Sequence, residues 1–135
     1  MNDKMKEAMK KFEEQKVITL ARIDTLLEEE MLDDDGYPSE ATLEIVRIWS
    51  FDGDSREWFD FIKSSILWAP DWGWHEGKES HDYDADKKVY RYNISTGGWS
   101  GNESIIREME SNSMMWHLHW VQSRRGGHYF FQLRE

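Results

Sequence analysis

The sequence predicts an α+β fold: N-terminal helices packed on a small antiparallel sheet, in the order α-α-α-β-β-α-β-β. Three observations carry this. Apolar residues recur at spacings of three and four as far as Ile66. The period changes to two after Trp72. Gly97-Gly98 and Gly126-Gly127 punctuate the second part as turns. At 135 residues without cysteine, the chain is expected to form a single domain, 1–135, with its own core and no disulfide or thiolate metal site.

The first helix is expected over Asp3 to Glu30, with Met5, Met9, Phe12, Leu20, Ile23 and Leu27 on one stripe. Lys16 and Thr19 interrupt that stripe, so 1–30 reads as a helical arm whose first half is loosely held. Asp33-Asp34-Asp35-Gly36 ends it. Ser39 reads as the N-cap of a second helix that buries Ala41, Ile45, Ile48 and Trp49. Ser55 reads as the cap of a third, with Trp58, Phe59, Ile62, Ser65 and Ile66 on one face and Ala69-Pro70 at its close.

Trp72-Gly73-Trp74 opens a short strand, 76–86 reads as a polar loop, and Lys87 to Ser95 reads as a second strand through Val89, Tyr90, Tyr92 and Ile94. Ser100 and Glu103 form an S-x-x-E capping box ahead of Ile105, Ile106 and Met109. Met114, Trp116, Leu118 and Trp120 alternate with Met115, His117, His119 and Val121, and Tyr129, Phe131 and Leu133 alternate with His128, Phe130 and Gln132. A two-residue turn at Arg125-Gly126 would pair Trp120 with Phe131 and Leu118 with Leu133.

Charge narrows the function classes. The net charge is −10, and the stretch Asp24 to Asp86 holds nineteen acidic residues against four basic ones. That stretch would repel a phosphate backbone, so direct nucleic-acid binding is not expected. The first sixteen residues are too charged for a signal peptide, and no apolar run reaches membrane-spanning length. The expectation is a cytoplasmic protein with no membrane partner.

Two turns carry the candidate site. In the first, Gly97, Gly98, Trp99, Ser100 and Asn102 lie where a strand runs into a helix N-terminus, a place for an anion. The glycines also suit a plain tight turn. In the second, Arg124, Arg125 and His128 flank a hairpin turn, and arginine pairs can hold phosphate or carboxylate. If both turns meet at one end of the sheet, they make a site for a small anionic, nucleotide-like ligand. His117, His119 and His128 share strand parity and offer a weaker metal-site reading, that of a metal-dependent enzyme. Glu28-Glu29-Glu30, Asp33-Asp34-Asp35, Asp52, Asp54 and Asp60 offer a third: an acidic surface that blocks a basic, nucleic-acid-binding host protein. No nucleophile–base set can be singled out, so a binding protein without cofactor is expected ahead of an enzyme. The long first helix and the histidine-bearing sheet face leave room for homo-oligomers.

The run from Ser95 to Glu103, the run from Ser123 to Tyr129 and the Asp35-to-Ser39 helix start resemble a pattern in small uncharacterised proteins of phages and prophages. The resemblance spans roughly residues 33–133. It implies a phage accessory product, with host-defence evasion as the analogous role, and transfers no catalytic residue.

Overall fold

The computed structural model describes residues 2–50 and 53–133. Five α-helices run over α1 (Asp3–Leu26), α2 (Glu40–Ile48), α3 (Ser55–Ser65), α4 (Ser100–Ser111) and α5 (Ser113–His119). Four strands run over β1 (Trp74–Ser80), β2 (Lys88–Ser95), β3 (Trp120–Arg124) and β4 (His128–Leu133). They form one antiparallel sheet in the order β1-β2-β4-β3. This is the expected α+β fold, with one helix more than the sequence predicts.

Helix starts follow capping chemistry. Ser39 accepts a hydrogen bond from the Thr42 N–H, as expected for α2. At α3 the cap is Asp54, whose carboxylate takes the Arg56 and Glu57 N–H groups. Ser55 is thereby displaced into the helix, where its hydroxyl meets His119 instead. The expected capping box at α4 does not form. Trp99 is the N-cap residue, Ser100 Oγ donates to the Tyr37 hydroxyl, and Glu103 accepts from Thr96 Oγ1. Tertiary partners won both side chains. Between α3 and β1 the chain makes a π-helical turn at Ala69–Gly73.

The core lies between the helices and one face of the sheet. Trp74, Tyr92, Ile94, Phe131 and Leu133 from the strands meet Val46, Trp58, Phe59, Ile62, Ile105, Ile106, Met109 and Met115 from the helices. The Phe59 ring stacks on Tyr92, with centroids 4.1 Å apart. Polar groups in this layer are matched: Trp58 Nε1 donates to the Val46 carbonyl, and Asn112 Nδ2 donates to those of Val46 and Trp49. A smaller cluster of Ile23, Leu26 and Ile45 seats the end of α1 on α2.

Two strand readings change. Residues 76–80, expected in a loop, extend β1, an edge strand whose polar residues stay wet or find partners. Glu76 accepts from Lys63 Nζ, Trp74 Nε1 and the Tyr90 hydroxyl, joining α3 to two strands. Residues 113–119, expected as strand, form α5. Asn112 caps it, and Met115 and His119, four apart, face inward. The pairing of Trp120 with Phe131 is as expected, but the turn is longer. Arg124 pairs with His128, and a register shift between Trp120 and Gln122 absorbs the extra residue.

Candidate functional site

The two turns do meet at one end of the sheet. The Thr96 N–H donates to the Gly127 carbonyl at 2.9 Å, and Ser95 Oγ lies 2.8 Å from His128 Nδ1. The junction is filled by the protein itself. Thr96 Oγ1 donates to Glu103 at 2.7 Å and accepts from the Gly98 N–H. A carboxylate thus stands near the start of α4, where an anion was expected. Asn102 is fully buried: its Oδ1 accepts from the Leu67 N–H, and its Nδ2 donates to the Leu67 and Thr96 carbonyls. It is a clamp between segments.

The glycines of these turns make room for side chains. Gly97 has φ +67°, and a Cβ there would lie 2.5 Å from the Trp72 ring. A Cβ on Gly127, at φ +80°, would meet Thr96 Oγ1 at 2.2 Å. Trp99 turns away from the hairpin to lie against Tyr37, at 4.6 Å between centroids, and Trp68. Of the eight residues proposed from sequence, Gly97, Gly98, Trp99, Ser100 and Asn102 therefore build the turn. Arg124 and His128 sit on the outer face of the sheet, and Arg125 is exposed in the hairpin turn.

That outer face is the one the helices leave open. Strand pairing sets His75, Asn93, Phe130 and Gln122 side by side across all four strands. In the next row Gly77, Arg91 and Gln132 are paired. Gly77 has no atom within 4 Å of where its Cβ would stand, so the row is open at β1. The result is a groove of about 530 Å³, lined by His75, Gly77, Arg91, Asn93, Gln122 and Phe130 among others. Such a volume falls in the range of small-molecule sites, roughly 300–1,000 Å³.

The chemistry of the groove is uneven. At one end Arg91 is neutralised by Asp82 at 2.6 Å and Glu79 at 3.6 Å, and its Nε donates to Gln132. Beyond the lining, on the same face of the sheet, the Arg124 guanidinium lies 5.2 Å from the Phe130 ring centroid and, among the described residues, has no carboxylate partner. In the groove Asn93 Oδ1 is buried and, among the described residues, accepts no hydrogen bond. An unmatched buried acceptor costs about 1–3 kcal/mol, so it marks a place where a donor would be welcome.

No protein-family model matches the chain, and neither a curated protein nor a solved structure does.

The histidines do not gather. His117 is exposed on α5 and bonds the Ser113 carbonyl. His119 is buried between Ser55 Oγ, at 2.9 Å, and the Gln132 carbonyl. Among the described residues no group of three metal-ligating side chains occurs. The Ser55–His119 pair resembles half of a nucleophile–base set, but neither residue lines the groove. Of the acidic runs, Asp33 is used internally, accepting from the Asp35 and Tyr37 N–H groups, and Asp54 caps α3. Asp52 lies outside the described residues. No described helix is long and apolar enough to cross a membrane.

Sequence reasoning missed Asn93, His75 and Phe130 because they lie on three separate strands. Only their alternation with core residues hinted at a shared outer face. His128 and Arg124 were the two sequence candidates whose strand parity carried them there.

Proposed function

We propose that the protein is a non-enzymatic binding protein that holds a small, ring-bearing anionic ligand on the open face of its sheet. The observation that carries this is the unmatched Asn93 Oδ1 bordering the groove beside Phe130. A ligand amine or amide N–H would satisfy that oxygen, and Phe130 gives the ring an apolar surface. Arg124, two strand spacings across the sheet from Asn93 and two residues further along β3, about 12 Å in all, would take the anionic group. His128 lies beside it. A nucleoside monophosphate has this layout of amine, ring and anion. The site differs from the turn-centred one expected from sequence while keeping Arg124 and His128.

The test is calorimetric titration with adenosine monophosphate, a probe with all three features. Binding that drops at least tenfold in Asn93→Leu, Phe130→Ala and Arg124→Ala, and persists in Trp99→Ala, supports the sheet-face site. Binding lost in Trp99→Ala but kept in Asn93→Leu would return the site to the turn. No binding of this probe at millimolar concentration would remove the nucleotide-like assignment.

A further inference from the structure

Among the described residues, two serine hydroxyls lie against a histidine ring nitrogen. Ser95 Oγ is 2.8 Å from His128 Nδ1, and Ser55 Oγ is 2.9 Å from His119 Nε2. The pairs differ in what holds the ring. His119 closes α5 just before Trp120, whose pairing with Phe131 brings the ring to the Gln132 carbonyl, 3.2 Å from Nδ1. A carbonyl only accepts, so Nδ1 carries the ring proton. In the neutral ring Nε2 is then an acceptor, and the Ser55 hydroxyl donates to it. His128 has no such acceptor on its other nitrogen among the described residues.

A hydroxyl, a base and a group that orients the base are the parts that make a serine nucleophilic. Their burial is graded. His119 is 7% exposed, with the Phe59 ring edge-on at 5.7 Å, while Ser55 is partly exposed at the start of α3.

We propose that Ser55 is a covalent modification site that takes an acyl group from an activated ester. Ser55 Oγ bonds to the acyl carbon and its proton passes to His119 Nε2. The bond from the acyl carbon to the leaving oxygen breaks, and that oxygen takes the proton from Nε2. The step transfers one acyl group per chain and needs no turnover, so it is independent of the ligand reading.

Ser100 and Ser113 are built-in controls. Each is also the first residue of a helix, so the field of a helix start is common to all three serines. Ser100 Oγ donates to the Tyr37 hydroxyl, and Ser113 meets His117 through its carbonyl. Both are more exposed than Ser55, so access alone favours the controls.

Treatment of the full chain with p-nitrophenyl acetate, followed by peptide mapping by mass spectrometry, tests the proposal. Ser55 should be acetylated at least about tenfold faster than Ser100 or Ser113, and His119→Gln should remove that advantage. The chain has no cysteine, which allows a second measurement that keeps His119 in place. Ser55→Cys should react with iodoacetamide at neutral pH at least about tenfold faster than Ser100→Cys or Ser113→Cys. Equal acetylation of the three serines would overturn the proposal. So would Ser55 acetylation unchanged by His119→Gln, or a Ser55→Cys variant that reacts no faster than the two controls.

Discussion

Tyr92 and Asn93 are neighbours in β2, yet they sit in opposite surroundings. Tyr92 points inward, 2% exposed, with Phe59 stacked on one side and Trp74, Tyr90 and Phe131 in the same layer. Burial pushes its phenol pKa well above the ordinary range, so it stays neutral. Asn93 points outward to a face that no described helix covers, with a buried oxygen that no described residue satisfies. Alternation along one strand thus divides labour. The inward residues close a core in which polar groups find partners. The outward ones line a groove with an unmet hydrogen bond, which is a cost to stability.

The largest effect expected from this contrast separates two phenylalanines. Phe59→Ala, in the inner layer, should destabilise by about 3–5 kcal/mol, whereas Phe130→Ala, half-buried on the outer face, should cost about 1 kcal/mol. Urea denaturation at constant pH measures both, and equal losses would mean that the outer face is also core. A smaller effect has the unusual sign. Replacing Asn93 with Leu removes a buried unmatched oxygen, so stability should hold or rise by up to about 1 kcal/mol. A loss beyond about 2 kcal/mol would show that the Asn93 amide already has its partners in the fold.

The smallest effect lies at the edge of the inner face. Burial raises the Glu76 pKa, but hydrogen bonds from Tyr90, Lys63 and Trp74 and the Lys63 charge outweigh it, leaving the carboxyl below its ordinary 4.5. Its contribution is therefore complete above that value and is lost as pH falls through the depressed folded value. Thermal melts of wild type and Glu76→Gln should differ at pH 7 and converge near pH 3. A difference that is constant with pH would assign the effect to packing.

How much of this was legible in the sequence depended on whether the deciding contact was local. Ser39 caps α2 through a neighbour three residues away, so its role could be read directly. The β3–β4 pairing of Trp120 with Phe131 could be read from alternation, even though the turn was one residue longer than expected. Residues 113–119 could not. Seven residues fit a period of two as well as 3.6, and the burial of Met115 and His119 against the core chose the helix. The Gly97-Gly98-Trp99 turn looked like a ligand cradle because glycines that admit a ligand and glycines that admit Trp72 have the same letters. The groove was hidden for a different reason. Asn93 and Phe130 become neighbours only after β2 and β4 pair.

The central claim is that the outer face of the sheet is the binding surface. Amide NMR of the full chain, titrated with adenosine monophosphate, tests it most directly. The account predicts that the Asn93 side-chain amide and the backbone signals of His75, Gln122, Arg124 and Phe130 shift together and saturate, while those of Gly98, Trp99 and Ser100 stay in place. Shifts centred on residues 97–100, with Asn93 unmoved, would contradict it.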